Sequence, residues 1–519
     1  MKKTRSITRI FLLLTALLLL AGCADRIAVP HTVTEAPVFP DHTSQPYEGP
    51  LPVSGGLNQP LTNRHHYQMS LELDEQNKLL TGHLKLHYQN PGNGILRQIP
   101  LHLYANAFAK ENPMAFFESE MRGAYPNGFS KGGIEIQNLK VDGADASYTI
   151  ENPDQTLMVI DLPIQLGQSA GCVLEMDFIV TIPNCLGRFG YGEKTFNLCD
   201  FYPRAAAWNE TDFYRYPYYA AGDPFVEDIA DFDITLKVPQ GMMVAQGGVV
   251  KKQSQQQGMD IYEIEAPIRR DFAAVVSRQF QLKEETVEGV LIKSYTYKGC
   301  DKAADNCAFQ SAKEALRTFT SFFGPYPYPE LSVVQTDFFI GGMEYPGIVL
   351  IDQSLYRGFG ITVLEQVVVH EVGHQWWYAV VGNDQVMHPW LDEALTDYTT
   401  LRYYGFAYDE KNENQFYSTY VEGAFQYYRN ALKLSDAQLR VGQPMTDFDS
   451  SIPYSVAIYT NGTRMFRALE QQVGTQKLTD ALAAYYRAYA FRRVSPNEFI
   501  NFLGEQLNMD ARAFFDDWL

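Results

Sequence analysis

Apolar and polar residues alternate with a period of two through much of the first half of the chain. Tyr67, Met69, Leu71 and Leu73 alternate with polar neighbours, as do Leu84, Leu86 and Tyr88. Phe232, Ile234, Leu236 and Val238 do the same just before Pro239-Gln240-Gly241. Strands with one face on a core and one in water leave this pattern, and clusters of Gly, Pro and Asn break the runs. Past about residue 285 the period changes. Segments 292–297 and 331–339 still read as strands, but 304–323, 361–381, 390–404, 411–434, 461–473, 476–490 and 496–507 read as helices. The pattern predicts a multidomain chain: an antiparallel β domain over 62–280, then an α+β domain over 281–519. There is no internal repeat and no low-complexity tract.

The first residues follow neither pattern. Lys2, Lys3, Arg5 and Arg9 precede an apolar run over 10–21, too short to cross a bilayer but suited to the hydrophobic part of a signal peptide. The run ends in Leu20-Ala21-Gly22-Cys23, which resembles the lipobox of bacterial lipoproteins. That resemblance implies cleavage before Cys23 and a lipid on its new N-terminus. Residues 1–22 then form a lipoprotein signal peptide, and 23–61, rich in Pro, Thr and Gly, form a tether. The expectation is an exported protein, outside the cytoplasm, anchored at a bacterial membrane surface.

Charge changes the picture in one respect. Removing the four basic residues of 1–22 takes the formal net charge from −19 to −23. So acidic a chain argues against nucleic-acid binding and against electrostatic docking on anionic lipid, leaving the acyl chain as the membrane link. Besides Cys23 there are Cys172, Cys185, Cys199, Cys300 and Cys307. Export permits disulfides, and Cys300–Cys307 and Cys185–Cys199 are candidate pairs, but spacing does not choose among the five cysteines. No CxxC pair is present, which argues against a thiolate metal site. Nothing in the pattern sets an oligomeric state.

The candidate chemistry lies in 367–377, where His370-Glu371-Val372-Gly373-His374 forms H-E-x-x-H inside a helical, Val-rich segment. Residues four apart on a helix share a face, so His370 and His374 can reach one metal, with Glu371 beside it and able to hold a water. A catalytic zinc takes three protein ligands and keeps one position open. Glu393, 19 positions past His374 in Trp390-Leu391-Asp392-Glu393, completes a His₂Glu set. His388, in a loop before Pro389, reads as structural.

These motifs resemble the membrane alanyl aminopeptidase family of gluzincin metallopeptidases, in which eighteen residues separate H-E-x-x-H from the glutamate ligand. Gly341-Gly342-Met343-Glu344-Tyr345-Pro346 resembles that family's G-x-M-E-N motif, and the run from Tyr454 to Gly462 resembles the segment bearing its catalytic tyrosine. Residues 101–108 read like its β domain, so the similarity extends over about 62–519. The resemblance implies a saddle-like β domain before a thermolysin-like catalytic domain, with one zinc per chain on His370, His374 and Glu393. It assigns Glu371 as the proton-transferring base and Tyr459 as donor to the oxyanion. Gly342, Met343 and Glu344 would bind the substrate, Glu344 taking the free α-ammonium of a peptide. A thermolysin-like endopeptidase, or a catalytically weak lipid-anchored peptide-binding protein, are the other readings. Tyr345 stands where the family usually has Asn, and the amine-binding Gln or Glu of the family's N-terminal domain has no assigned counterpart, Asp200 lying only in a suggestive segment. The chain also stops soon after the catalytic domain, which implies a member without the long helical C-terminal domain.

Overall fold

The computed structural model describes residues 64–519 apart from 111–114, 152 and 358–360. The expected signal peptide and tether, with Cys23, lie outside the described residues. In the first half, the alternating runs build an eight-stranded sheet. His65–Asp74 sits in its interior between Leu79–Gln89, paired antiparallel, and Ala230–Pro239, paired parallel with His65 opposite Ala230. The other pairings of this sheet are antiparallel. Tyr67, Met69, Leu71 and Leu73 are buried, as the period of two requires. Two four-stranded sheets cover the apolar side, and one core joins the three.

A five-stranded sheet opens the second half, in the order Phe280–Val287, Val290–Tyr297, Glu330–Thr336, Ile348–Asp352, Gly342–Met343. Its two central pairings are parallel, and the short strand Gly342–Met343 lies antiparallel at the edge. Helix Lys302–Phe323 packs against helix Ile361–Gly373. The first is started by the Asp301 carboxylate, which accepts from the backbone N–H of Ala303 and Ala304. Among the described residues, no helix is long and apolar enough to cross a membrane. Cys172, Cys185, Cys199, Cys300 and Cys307 form no disulfide.

Three helical expectations need correction. The helix expected over 361–381 stops at Gly373. Beyond it Tyr378 takes φ 128°, and Trp377 bridges to Val381, so the apolar run 376–381 is a buried loop. Burial, not helical period, explains its composition. The segment expected over 390–404 is a 3₁₀ turn, Pro389–Leu391, followed by the helix Glu393–Ala407, whose N-cap is Asp392. The stretch 411–434 divides into Glu410–Phe416, a π-helical turn Tyr417–Glu422, and Gly423–Leu432. A second π turn, Val456–Thr460, precedes helix Asn461–Val473.

Buried arginines join the halves. The guanidinium of Arg270, 4% exposed, donates to four carbonyls: Glu227 (3.2 Å), Tyr378 (2.6 Å), Val380 (3.1 Å) and Arg492 (2.9 Å). The first belongs to the β half and the others to the catalytic half. Arg204 lies buried among Asp200, Glu227 and Asp271, and Asp200 accepts the hydroxyl of Tyr345 at 2.6 Å. A buried carbonyl stripped of its donor costs about 1–3 kcal/mol, so Arg270→Ala is expected to destabilise the protein by at least about 3 kcal/mol. The urea midpoint measures this. Arg270→Lys should restore less than half, because a compact ammonium cannot span four carbonyls.

Candidate metal centre and active-site cleft

Helix Ile361–Gly373 presents His370 and, one turn on, His374, whose backbone N–H still bonds the His370 carbonyl at 3.2 Å. Helix Glu393–Ala407 returns beside it and brings Glu393 in from its first turn. Nε2 of His370 and Nε2 of His374 are 3.0 Å apart, and they lie 3.4 Å and 3.1 Å from Oε2 of Glu393. Tetrahedral zinc with bonds of about 2.0–2.1 Å would space its ligand atoms about 3.3 Å apart. The far nitrogens settle the tautomers. Nδ1 of His370 meets Asp397 Oδ1 at 2.9 Å, and Nδ1 of His374 donates to the Trp377 carbonyl at 3.0 Å, with the Thr396 hydroxyl 3.2 Å away. Both Nδ1 atoms therefore carry hydrogen, and both Nε2 lone pairs point at one spot beside a carboxylate. Such a convergence suits a cation, and this donor set suits Zn²⁺.

Glu371 stands beside this trio on the cleft wall. Burial pushes its carboxyl up to about 7, against the pull of His370 and His374. Opposite runs the edge strand. A Cβ on Gly342 would fall 2.1 Å from Glu371 Oε1, so only glycine lets the strand pass this close. Gln375, the residue after the second histidine, fastens the strand to the metal-binding helix. Its Nε2 donates to the carbonyls of Glu344 (3.1 Å) and Tyr345 (3.3 Å), and its Oε1 accepts from Gly347 N–H at 2.9 Å. Glu344 and Asp223 reach within 4.8 Å of Glu393, all three buried. Asp223 comes from a loop of the β half and is held by Arg188, Nη1 to Oδ1 2.7 Å. Burial, then the neighbouring Asp223, raise the carboxyl of Glu344 well above its ordinary range. Tyr459, on the second π turn, stacks on His370 with ring centroids 5.9 Å apart and donates to Glu393 Oε1.

Residues 307–518 match the model of the Peptidase family M1 domain. Aminopeptidase M1-B of Oryza sativa subsp. japonica is 24% identical over 434 residues, covering 74% of this chain and 45% of that protein. Aminopeptidase N of Lactobacillus helveticus is 23% identical over 400 residues, covering 74% and 46%. The chain thus spans about half the length of these curated relatives. Among solved structures, the M1 zinc metallopeptidase from Deinococcus radiodurans aligns with TM-score 0.62 at 17% identity, over 88% of this chain and 93% of that one. A mutant of that protein bound to a Tyr-Ser-Ala substrate aligns with TM-score 0.64 at 16% identity, over 88% and 94%. These neighbours share the two-part fold of β sheets followed by a helical domain.

Within this cleft the structure gathers His370, His374, Glu393, Glu371, Tyr459, Gly342, Met343 and Glu344. His388 stays out of the lining. So does Tyr454, whose ring lies behind Tyr459 at 5.8 Å between centroids. Tyr345 points away from the cleft, its hydroxyl on Asp200, so the position that departs from the G-x-M-E-N motif ties the strand to the Arg204 cluster. Asp200 is therefore occupied elsewhere, and Asp223 is the β-half carboxylate that enters the cleft. Sequence reasoning missed Asp223 and Arg188, which have no local signal. It also missed Thr396 and Asp397, three and four residues past Glu393, which helical spacing could have found. Asp397→Ala is expected to weaken metal binding about 10–100-fold while the fold persists, because the His370 ring loses its orienting acceptor. Competition with a chromophoric chelator measures it.

Proposed function

We propose that the protein is a zinc aminopeptidase that removes N-terminal residues from unblocked peptides. The observation that carries this reading is the pair of buried carboxylates, Asp223 and Glu344, beside the metal-ligand trio. Five carboxylates line the cleft: Asp223, Glu344, Glu371, Glu393 and Asp397. The Arg188 guanidinium and a zinc ion on His370, His374 and Glu393 offset three of these charges, leaving two. A peptide α-ammonium offsets a fourth carboxylate inside a site that has excluded water, and an acetylated terminus cannot.

When bound, zinc supplies Lewis-acid activation of water and of the scissile carbonyl. Glu371 takes a proton from the attacking water and passes it to the leaving nitrogen. The Tyr459 hydroxyl gives up its bond to Glu393 and donates to the oxyanion, the preorganised role of such donors. Glu344 and Asp223 hold the ammonium, and Arg188 holds Asp223. The proposal includes export and a lipid anchor on Cys23, supported by the sequence from Lys2 to Cys23. An endopeptidase would not need the two carboxylates.

Glu371→Gln is expected to keep its zinc by elemental analysis and to lose nearly all turnover, since an amide cannot accept the proton. Truncating one partner of a desolvated charge pair costs roughly 2–5 kcal/mol, so Glu344→Ala should lower kcat/KM on free peptides by at least about 30-fold. N-acetylated peptides should be poor substrates for the wild type. Equal cleavage of free and acetylated peptides would replace this reading with the endopeptidase one.

A further inference from the structure

Resting on that reading, the direction of the substrate in the cleft can be read from the metal-binding helix. Gln375, past its C-terminal end, bonds the carbonyls around Glu344; Glu371, a turn earlier, faces Gly342; Val367, another turn earlier and about 6 Å further along the axis, also lines the cleft. A peptide with its ammonium at Glu344 and its carbonyl at the metal therefore sends the rest of its chain towards Val367. The apolar lining at this end is Ile340, Val367, Phe416, Tyr420 and Val421, with Gln366 beside Val367; Phe416 is set there by Tyr404, which stacks on the Tyr408 that donates to Glu365 at 2.7 Å.

Three of these five come from Phe416 and the π turn Tyr417–Glu422, and this piece is fixed from behind. Glu413 is paired with Arg402 and, at 2.7 Å, with Arg467; Glu422 is paired with Arg464 at 2.8 Å; Phe416 stacks on Tyr404 with centroids 4.3 Å apart. Phe416 and Val421 are buried, whereas the half-buried Tyr420 presents its ring at the rim of the wall. We propose that this wall receives the side chain of the residue after the scissile bond, and that the preferred substrates are unblocked peptides whose second residue is large and apolar, aromatic above all. An aromatic side chain there gains contact with the rings of Phe416 and Tyr420. An acidic one is stripped of water against the wall with Asp397 nearby.

The test is release of free alanine from four dipeptide amides, Ala-Phe, Ala-Leu, Ala-Gly and Ala-Glu, by the zinc-loaded full-length protein. Discrimination by an apolar pocket runs from about tenfold upward, so kcat/KM for Ala-Phe and Ala-Leu should exceed that for Ala-Gly and Ala-Glu by at least about tenfold. Tyr420→Ala and Val421→Asn should each shrink the Ala-Phe to Ala-Gly ratio at least about threefold, and Tyr420→Phe should preserve it. Two variants keep the test alive if one does not fold. A flat wild-type profile, or a ratio untouched in folded Tyr420→Ala and Val421→Asn, overturns the inference while leaving the aminopeptidase reading in place. Failure to release alanine from any of the four overturns both.

Discussion

Burying acidic groups together is costly, and the cleft gathers five carboxylates around one point, four of them buried. Each would rather be hydrated or neutral, and burial raises the carboxyls of Asp223, Glu344 and Glu371 for that reason. The arrangement is tolerable only with cations beside it. Arg188 supplies one from the protein, the histidine lone pairs converge on the place of a second, and the unpaired Glu344 asks for a third. Much else in the fold serves to keep these groups from spreading apart. Gln375 ties the edge strand to the metal-binding helix, Asp397 and the Trp377 carbonyl hold the imidazoles, and a glycine at 342 lets the strand pass Glu371.

The site also depends on the joint between the halves. Arg188 and Asp223 belong to the β half, whereas every metal-ligand candidate belongs to the catalytic half. Their mutual placement rests on contacts such as Arg270, which spends its donors on backbone carbonyls of both, and Tyr345, which reaches from the edge strand to Asp200. The Arg204 cluster lies just behind. A small slip at this joint would part Asp223 from Glu344 without disturbing the metal ligands.

What was legible in the sequence follows from the range of each interaction. His370, Glu371 and His374 lie within one helical turn, so spacing alone puts them together. Glu393 needed a return helix, and Tyr459 and Glu344 needed the family resemblance, because one tyrosine or glutamate among many has no period to single it out. Asp223 and Arg188 are 35 residues apart on segments without regular structure, and only tertiary packing makes them neighbours. The helix read over 361–381 ran too long for a related reason: a buried loop needs the same apolar residues as a buried helix. Thr396 and Asp397 were within reach of the helical argument once Glu393 had been chosen.

The two π turns bear on how such a chain can change. A π turn holds one residue more per hydrogen-bonded loop than an α turn, and each residue on a helix rotates its successor by about 100°. Loss of a single residue within Val456–Thr460 would let the helix close normally and swing the Tyr459 ring away from His370. Loss of one within Tyr417–Glu422 would likewise turn Tyr420 and Val421 out of the cleft wall. At these two places, insertions and deletions are more damaging than most replacements, so chain length here should drift less than residue identity.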